Sequence, residues 1–384
     1  TRSFEANSGY FWGSPEREPP KVTRSFEANS GYFWGSPERD PQKRHEKEGP
    51  ILSALLEVRE LSVEYPSAGG IVRAVDRISF TIGRGEIFGL AGESGCGKST
   101  TAFAICRLLR PPARVAGGSV RLDGVELTAL PDEAFDKLRW AKLSIVLQSA
   151  MNNLNPVMTI RKQLVDAILT HEPDRADTAG ARAEQLMKLV DLPPDRLNSY
   201  PHELSGGMRQ RVVIAMAMAL RPSLVIMDEP TTALDVVVQS GIVRKIVELQ
   251  REFGFSILFI THDLPLMLQM CDRIGVMYAG KLVETAPAAQ MLREPKHPYT
   301  QGLLDSFPAL SGERRRLSGI PGHPPDLIRP PAGCRFRPRC GRALPPCRDV
   351  EPPLAAVGDG SGQVACHLFR EEEGAREQAS AGSE

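Results

Sequence analysis

Three things are scarce in this 384-residue chain, and each scarcity excludes something. Net charge is absent: 47 Lys and Arg balance 47 Asp and Glu. There is no basic field that would argue for a nucleic-acid partner, and no acidic tail. Long apolar runs are also absent. The longest uncharged apolar stretch, VVIAMAMAL at 212–220, ends at Arg221, far short of the roughly 20 residues that span a bilayer. The expectation is that any membrane contact comes through partners. Finally, no positively charged start leads into an apolar segment, so nothing marks the chain for secretion. In the reducing compartment this implies, the seven cysteines read as thiols or ligands before disulfides.

What is present centres on residues 87–104, IFGLAGESGCGKSTTAFA. An apolar run breaks into a glycine-rich loop and resumes with helical character. Gly92, Gly95 and Gly97, with Glu93, Ser94 and Cys96 between them, let the backbone approach an anion. Successive N–H groups and the start of the next helix then point at a polyphosphate. Lys98 reaches the β and γ phosphates, Ser99 supplies a hydroxyl to Mg²⁺, and Thr100 completes the phosphate-loop pattern. Cys96 reads as a small space-filler, and Cys106 and Cys271 as core residues.

In chain order, TRSFEANSGYFWGSPER occurs at 1–17 and again, unchanged, at 23–39. Two copies so rich in Ser, Gly, Glu, Pro and Arg cannot bury a core, so residues 1–50 are expected to be a disordered tail, with a paired aromatic docking motif as the alternative. The sequence opens on Thr1, which is compatible with a duplicated or mistranslated start. From Leu55, LEVRELSVEY and RISFTI around the turn-forming PSAGG, with GGSVRLDGVEL at 117–127, predict a small antiparallel sheet. Residues 158–205 carry apolar positions three and four apart, which predicts an inserted helical lobe. LSIVLQ at 143–148, SLVIMDEP at 223–230 and SILFITHD at 256–263 read as buried strands alternating with helices, so the core is expected to be a parallel, doubly wound α/β sheet. REEEGAREQASAGSE at the C-terminus is charged and rich in small residues; residues 371–384 are expected to be a second disordered tail.

Two stretches extend the chemistry. LVIMDE places Asp228 and Glu229 at the C-terminal end of a strand, where open α/β sheets bind ligands. Asp228 would complete the Mg²⁺ shell and Glu229 would polarise the attacking water as general base. LSGGMRQR at 204–211 puts Leu204, Ser205, Gly206 and Gly207 at a helix start, a second anion site. One nucleotide does not need two γ-phosphate cradles, so the second is expected to serve the nucleotide of a partner subunit.

With GESGCGKST, Gln148, LSGGMRQR, LVIMDEP, TTALD at 231–235 and His262 in this order, residues 53–290 resemble the ATP-binding subunit of an ABC transporter. The resemblance implies a P-loop NTPase core with a small antiparallel β subdomain. It implies Gln148 as a Mg²⁺ ligand in a loop that senses membrane subunits, His262 as the switch on the γ-phosphate, and Asp235 as the residue coupling two sites across a dimer. Tyr65 resembles the aromatic that stacks on adenine. EPKHPYTQGLLDSFP at 294–308, LSGIPGHPPDL, and GCRFRPRC at 333–340 resemble the C-terminal extension, about residues 291–370, of dipeptide and oligopeptide importer ATPases. QSAMNNLNPVMTI at 148–160 is similar to the same group, departing at Ser149 and Ala150 where Asp and Pro are usual. The implied partners are a second identical or different cassette, two permeases and an external solute-binding protein, at the cytoplasmic face of the membrane. A nickel or other small-solute importer of the same subfamily remains open, and so does a soluble non-transport ABC ATPase.

Cys334, Cys340, Cys347 and Cys366 fall in a Pro- and Arg-rich stretch that offers little core of its own. The reducing compartment disfavours disulfides, and a metal would supply the missing stability. The spacing is looser than the closely paired ligands typical of zinc fingers and suits either a tetrahedral Zn²⁺ or an iron–sulfur cluster, with His367 as a substitute ligand for Cys366. The family resemblance implies a [4Fe–4S] cluster, which some peptide importer ATPases carry on this extension.

Overall fold

The computed structural model describes residues 54–148, 152–232, 234–306, 319–358 and 360–369. The repeat and the disordered-tail expectations at 1–50 and 371–384, like the departures at Ser149 and Ala150, lie outside them. The unit from Leu52 onward is built on two sheets. Four strands, β1 (Leu56–Ser67), β2 (Gly70–Ile82), β4 (Arg114–Leu122) and β5 (Val125–Glu126), form an antiparallel sheet in the order β2-β1-β4-β5. The strand pairs flank PSAGG and Asp123–Gly124, the turn signals of the sequence.

The larger sheet has eight strands. Its centre is parallel: β9 (Arg273–Tyr278), β3 (Ile87–Ala91), β8 (Ser256–Ile260), β7 (Leu224–Asp228) and β6 (Leu143–Val146) lie side by side in that order. Strands β10 (Lys281–Pro287), β12 (Gly362–Val364) and β11 (Ala355–Val357) extend the β9 edge with antiparallel pairing. The sequence reading missed all four strands beyond SILFITHD.

Alternation along the central strands feeds two cores. Ile87, Val225, Met227, Ile257 and Phe259 face one side; Phe88, Leu90, Leu224, Ile226, Leu258 and Ile260 face the other. A parallel strand buried on both faces therefore reads as an unbroken apolar run. The second core is covered by the antiparallel sheet, by α1 (Lys98–Ile105) and by Phe135 of α2 (Asp132–Leu138). The first is covered by α3 (Ile160–His171), α4 (Ala176–Leu189), α5 (Gly206–Ala217), α6 (Val236–Phe253) and α7 (Leu264–Met270).

After β10, α8 (Ala288–Arg293) and α9 (Pro298–Asp305) lead to the cysteine-bearing segment. Among the described residues that segment forms no separate core, and Phe336, Cys334 and Cys340 pack with the first core. Phe336 inserts into the first core against Tyr278 and Tyr299, with ring centroids 5.2 and 5.4 Å away, and Tyr278 and Tyr299 themselves meet at 4.6 Å. Each such aromatic pair contributes about 0.5–1.5 kcal/mol beyond simple burial. Arg335 pairs with Asp76 of β2, which also pairs with Lys281 of β10 at 3.2 Å. Burial alone would raise the Asp76 pKa, but Lys281 and Arg335 hold it below the ordinary carboxylate range. The segment thus draws stability from docking onto the first core and onto β2.

Candidate nucleotide site

The loop between β3 and α1 adopts a conformation that its glycines alone permit. Gly92 has φ 145°, and a Cβ there would sit 2.3 Å from the Met277 carbonyl oxygen; Gly97 has φ 108°, and a Cβ would sit 2.3 Å from the Ala74 carbonyl oxygen. Backbone on both sides cannot give way, so the loop is squeezed between β9 and β2. At Gly95 the same position opens onto free space. The outer lip, Ser94 and Gly95, is exposed, whereas Cys96, Gly97 and Lys98 are buried. Burial pushes the Cys96 thiol up, against the pull of Lys98, which fits a packing role.

Lys98 is 6 % exposed, and its ammonium donates to the carbonyls of Gly92 (2.7 Å) and Glu93 (2.9 Å). These acceptors occupy the donors that a phosphate would take. Ser99 Oγ donates to Asp228 Oδ1 at 3.0 Å, uniting loop and strand end in one oxygen-rich corner. Burial raises the Asp228 pKa, and neighbouring Glu229 adds to the rise. A desolvated carboxylate beside a hydroxyl, under a glycine-walled cradle, is a donor set suited to Mg²⁺.

Glu229 follows Asp228 with φ 47°, the left-handed region that a non-glycine residue enters only under constraint. Its carboxylate accepts from Gln148 Nε2 (3.0 Å) and Thr232 Oγ1 (2.9 Å), and His262 Nδ1 lies 3.3 Å from Oε1. Gln148, Glu229 and His262, expected to act together, therefore meet around one carboxylate. Tyr65, half-buried, is 3.5 Å from Thr100 Oγ1 through its hydroxyl, at the rim of the same loop.

Leu204, Ser205, Gly206 and Gly207 stand at the start of α5. Leu204 is buried and Ser205 exposed, and Ser205 caps the helix by accepting from Met208 N at 3.3 Å. A Cβ on Gly207 would lie 2.6 Å from Val238 Cγ1 of α6. Asp235 caps that helix, accepting from Val238 N at 3.0 Å.

Sequence reading missed Thr232 and two residues from the far end of the chain. Tyr299 Oη accepts from Glu93 N at 2.9 Å, and Arg339 forks onto the Glu93 carboxylate at 2.8 and 3.0 Å. Thr232 had a local signal, lying within TTALD; the other two lie in HPYT and RPRC, text that pointed to the C-terminal extension and not to the phosphate loop.

Three of the four C-terminal cysteines share a hydrogen-bonded frame: Cys334 N donates to Cys347 O (3.0 Å), Arg337 N to Cys334 O and Cys340 N to Arg337 O. Burial pushes the Cys366 thiol up to about 11, and Cys334, Cys340 and Cys347 contribute to the rise. Among the described residues, however, no group of three or more His, Cys, Asp or Glu side chains is arranged to hold a metal ion. The expected cluster is therefore unsupported by the arrangement of its ligands. His367 is engaged elsewhere, its Nε2 2.9 Å from the Val350 carbonyl.

A glycine-walled loop running into a helix at the end of a parallel strand, beside a strand ending in Asp–Glu, defines a P-loop nucleotide-binding cassette. The family model described as ABC transporter matches residues 75–232, and that described as oligopeptide/dipeptide transporter, C-terminal region, matches 283–347. The dipeptide transport ATP-binding protein DppD of Haemophilus influenzae is 44% identical over 323 residues, 84% of this chain and 97% of the relative. The oligopeptide transport ATP-binding protein OppD of Salmonella typhimurium is 44% identical over 310 residues, 80% of this chain and 92% of the relative. Among solved structures, the dimeric post-hydrolysis state of the ATP-binding cassette MJ0796 bound to ADP and Pi superposes with a TM-score of 0.54 at 27% identity, covering 61% of this chain and 98% of that one. CbiO1 of Clostridium perfringens, part of an ABC transporter complex, gives 0.55 at 27%, covering 63% and 91%. The chain belongs to the ATP-binding subunits of the ABC transporter family, in the oligopeptide/dipeptide transporter branch.

Proposed function

We propose that this chain hydrolyses ATP to power the import of dipeptides or oligopeptides. It sits at the cytoplasmic face of the membrane through two permease subunits, paired with a second cassette and supplied by an external solute-binding protein. The observation that carries this reading is the union, in one chain, of the Lys98–Ser99–Asp228–Glu229 corner with a C-terminal region of the peptide-transporter type. No helix among the described residues is long and apolar enough to cross a membrane, so the coupling to solute runs through partners.

In this reading Lys98 exchanges its bonds to Gly92 and Glu93 for the β and γ phosphates. Ser99, Asp228 and Gln148 would hold Mg²⁺, which when bound neutralises charge on the phosphates. Glu229 takes the proton of the attacking water, and His262, beside it, contacts the γ-phosphate. Tyr65 stacks on the base. Leu204, Ser205, Gly206 and Gly207 complete the site of the partner cassette, and Asp235 couples the two sites. The division into an ATPase region at 53–290, a helical lobe at 158–205 and an extension at 291–370 is part of the same proposal. The test is reconstitution with the permease pair and binding protein in vesicles. ATP turnover should rise with added di- and oligopeptides; stimulation by Ni²⁺ instead selects the small-solute reading, and robust turnover without any permease selects the soluble ATPase.

The finer reading of Cys334, Cys340, Cys347 and Cys366 is a [4Fe–4S] cluster, with Zn²⁺ as the alternative. Its support is the soft donor set and the backbone frame shared by Cys334, Cys340 and Cys347. Anaerobically purified protein should then be brown, absorb near 400 nm and hold about four irons per chain. One zinc in colourless protein selects the alternative, and metal-free protein removes both.

A further inference from the structure

Glu93 belongs to the phosphate loop, yet two of its three polar groups are held by residues more than 200 positions away. Its N–H donates to Tyr299 Oη at 2.9 Å, 206 positions further along the sequence. Its carboxylate receives both terminal nitrogens of Arg339, at 2.8 and 3.0 Å, across 246 residues. The third group, its carbonyl, accepts from Lys98 Nζ at 2.9 Å, the nitrogen that must turn to phosphate when nucleotide arrives.

Arg339 is built to stay in place. Its side chain is 4 % exposed, Nε donates to the Pro321 carbonyl at 2.8 Å and Nη2 to that of Ile320 at 3.2 Å. Its guanidinium lies 5.8 Å from the centre of the Tyr278 ring. It ends the short helical turn Arg337–Arg339, directly before Cys340 and three residues after Phe336, the aromatic that anchors the segment. A planar fork that meets a carboxylate with two parallel bonds fixes orientation as well as distance.

We propose that Arg339 is a positioning residue for ATP binding: through Glu93 it holds the phosphate loop open when Lys98 leaves the loop's own carbonyls for the nucleotide. Without the clamp, Glu93 is free to swing and the loop must be ordered again at each binding event, a cost that appears in affinity. The C-terminal segment thereby becomes part of the nucleotide site. The inference rests on the ATPase reading above.

The test uses the full chain in its transporter complex, with Arg339→Ala, Arg339→Lys, Glu93→Gln and the double variant Glu93→Gln/Arg339→Ala. Mg·ATP binding and the KM and kcat of hydrolysis are measured beside wild type. Arg339→Ala and Glu93→Gln are each expected to raise KM and Kd about tenfold with kcat within about twofold. Arg339→Lys should recover part of the loss, and the double variant should be no worse than the worse single one. Additive losses, or an unchanged KM in Glu93→Gln, would overturn the inference. If Arg339→Ala fails to fold, Glu93→Gln still decides, because its carboxylate is partly exposed and its replacement leaves the segment's other anchors intact. Wild type that binds no Mg·ATP overturns the ATPase reading instead, so the two failures are told apart.

Discussion

The phosphate loop and the loop at the start of α5 are both glycine-bearing turns at helix starts, proposed above as anion cradles, yet they are built in opposite ways. Around the phosphate loop Lys98 is buried and bonded, Ser99 meets Asp228, and backbone from β2 and β9 presses on Gly97 and Gly92. At the other loop Ser205 is exposed and serves as a helix cap, while the N–H groups of the first turn, at Gly206 and Gly207, have no intrahelical acceptor. The first cradle is walled and wired by its own chain. The second is exposed at Ser205, whose hydroxyl is spent on the helix cap, and under the proposal above it is half a site completed by another subunit.

The largest expected effect tests whether the phosphate-loop cradle also holds the chemistry. Glu229→Gln keeps the shape and can still bond to Gln148 or Thr232 but cannot take a proton. Turnover of the assembled transporter should fall by two or more powers of ten with ATP affinity near normal. Hydrolysis at the wild-type rate would place the base elsewhere.

Next come the two glycines that define the contrast. Gly97→Ala drives a methyl into the Ala74 carbonyl at a φ of 108°, so the isolated chain should lose ATP affinity by tenfold or more, read by equilibrium titration. Gly207→Ala meets only the Val238 side chain. It should leave ATP binding by the isolated chain intact and lower turnover severalfold in the paired assembly alone. A Gly207→Ala chain that binds ATP poorly on its own would break the distinction between a finished site and a half-site.

How far this contrast was legible in the sequence depends on distance along the chain. The phosphate loop, Asp228–Glu229 and the α5 start are each written in consecutive residues, and IFGLA, LVIMD and SILFI announce buried strands because both faces of each are apolar. The strands at Arg273–Tyr278 and Lys281–Pro287 were missed, since their short apolar runs are interrupted by Gly275, Lys281 and Glu284. Tyr299 and Arg339 left no local mark, because their meaning lies in contacts with Glu93. The docking of the cysteine-bearing segment was hidden for a related reason. The segment looks too poor in apolar residues to fold alone, but Phe336 and Arg335 fasten it to a core the sequence places far away.

The phosphate loop has a buttress from the far end of the chain, and acid should weaken it. His297 is wholly buried, and its Nδ1 accepts from Tyr299 N at 3.0 Å, the residue whose hydroxyl holds Glu93. Burial lowers its pKa to about 3. The unfolded chain protonates this imidazole below about 6.5 while the folded chain does not, so stability is full above that value and declines as pH falls toward about 3. Between pH 6 and 5 the loss should be about 1 kcal/mol. Glu284, raised by burial, acts with the opposite sign, so the measurement is a difference. His297→Asn keeps an acceptor for Tyr299 N without the titration, and denaturant unfolding at the two pH values should show wild type losing more than the variant. Equal losses would remove His297 from the account.

The smallest effect asks whether Asp235 is part of the half-site or only the end of a helix. Its carboxylate accepts from Val238 N at 3.0 Å, an N-cap that by itself accounts for an acid before VVVQSG. Removing such a cap costs about 1 kcal/mol, and Asn caps as well as Asp does. Asp235→Ala should therefore lower the stability of the isolated chain by about that amount, whereas Asp235→Asn should leave it within error. The coupling role predicts a different pattern in the paired assembly, where the lost charge matters even with the cap intact. Asp235→Asn should then reduce the steepness with which turnover rises with ATP, at unchanged stability of the single chain. If Asp235→Asn matches wild type in both measurements, the residue is a cap alone. The link between the two cradles would then have to run through Val238, whose side chain packs on Gly207 one turn into the same helix.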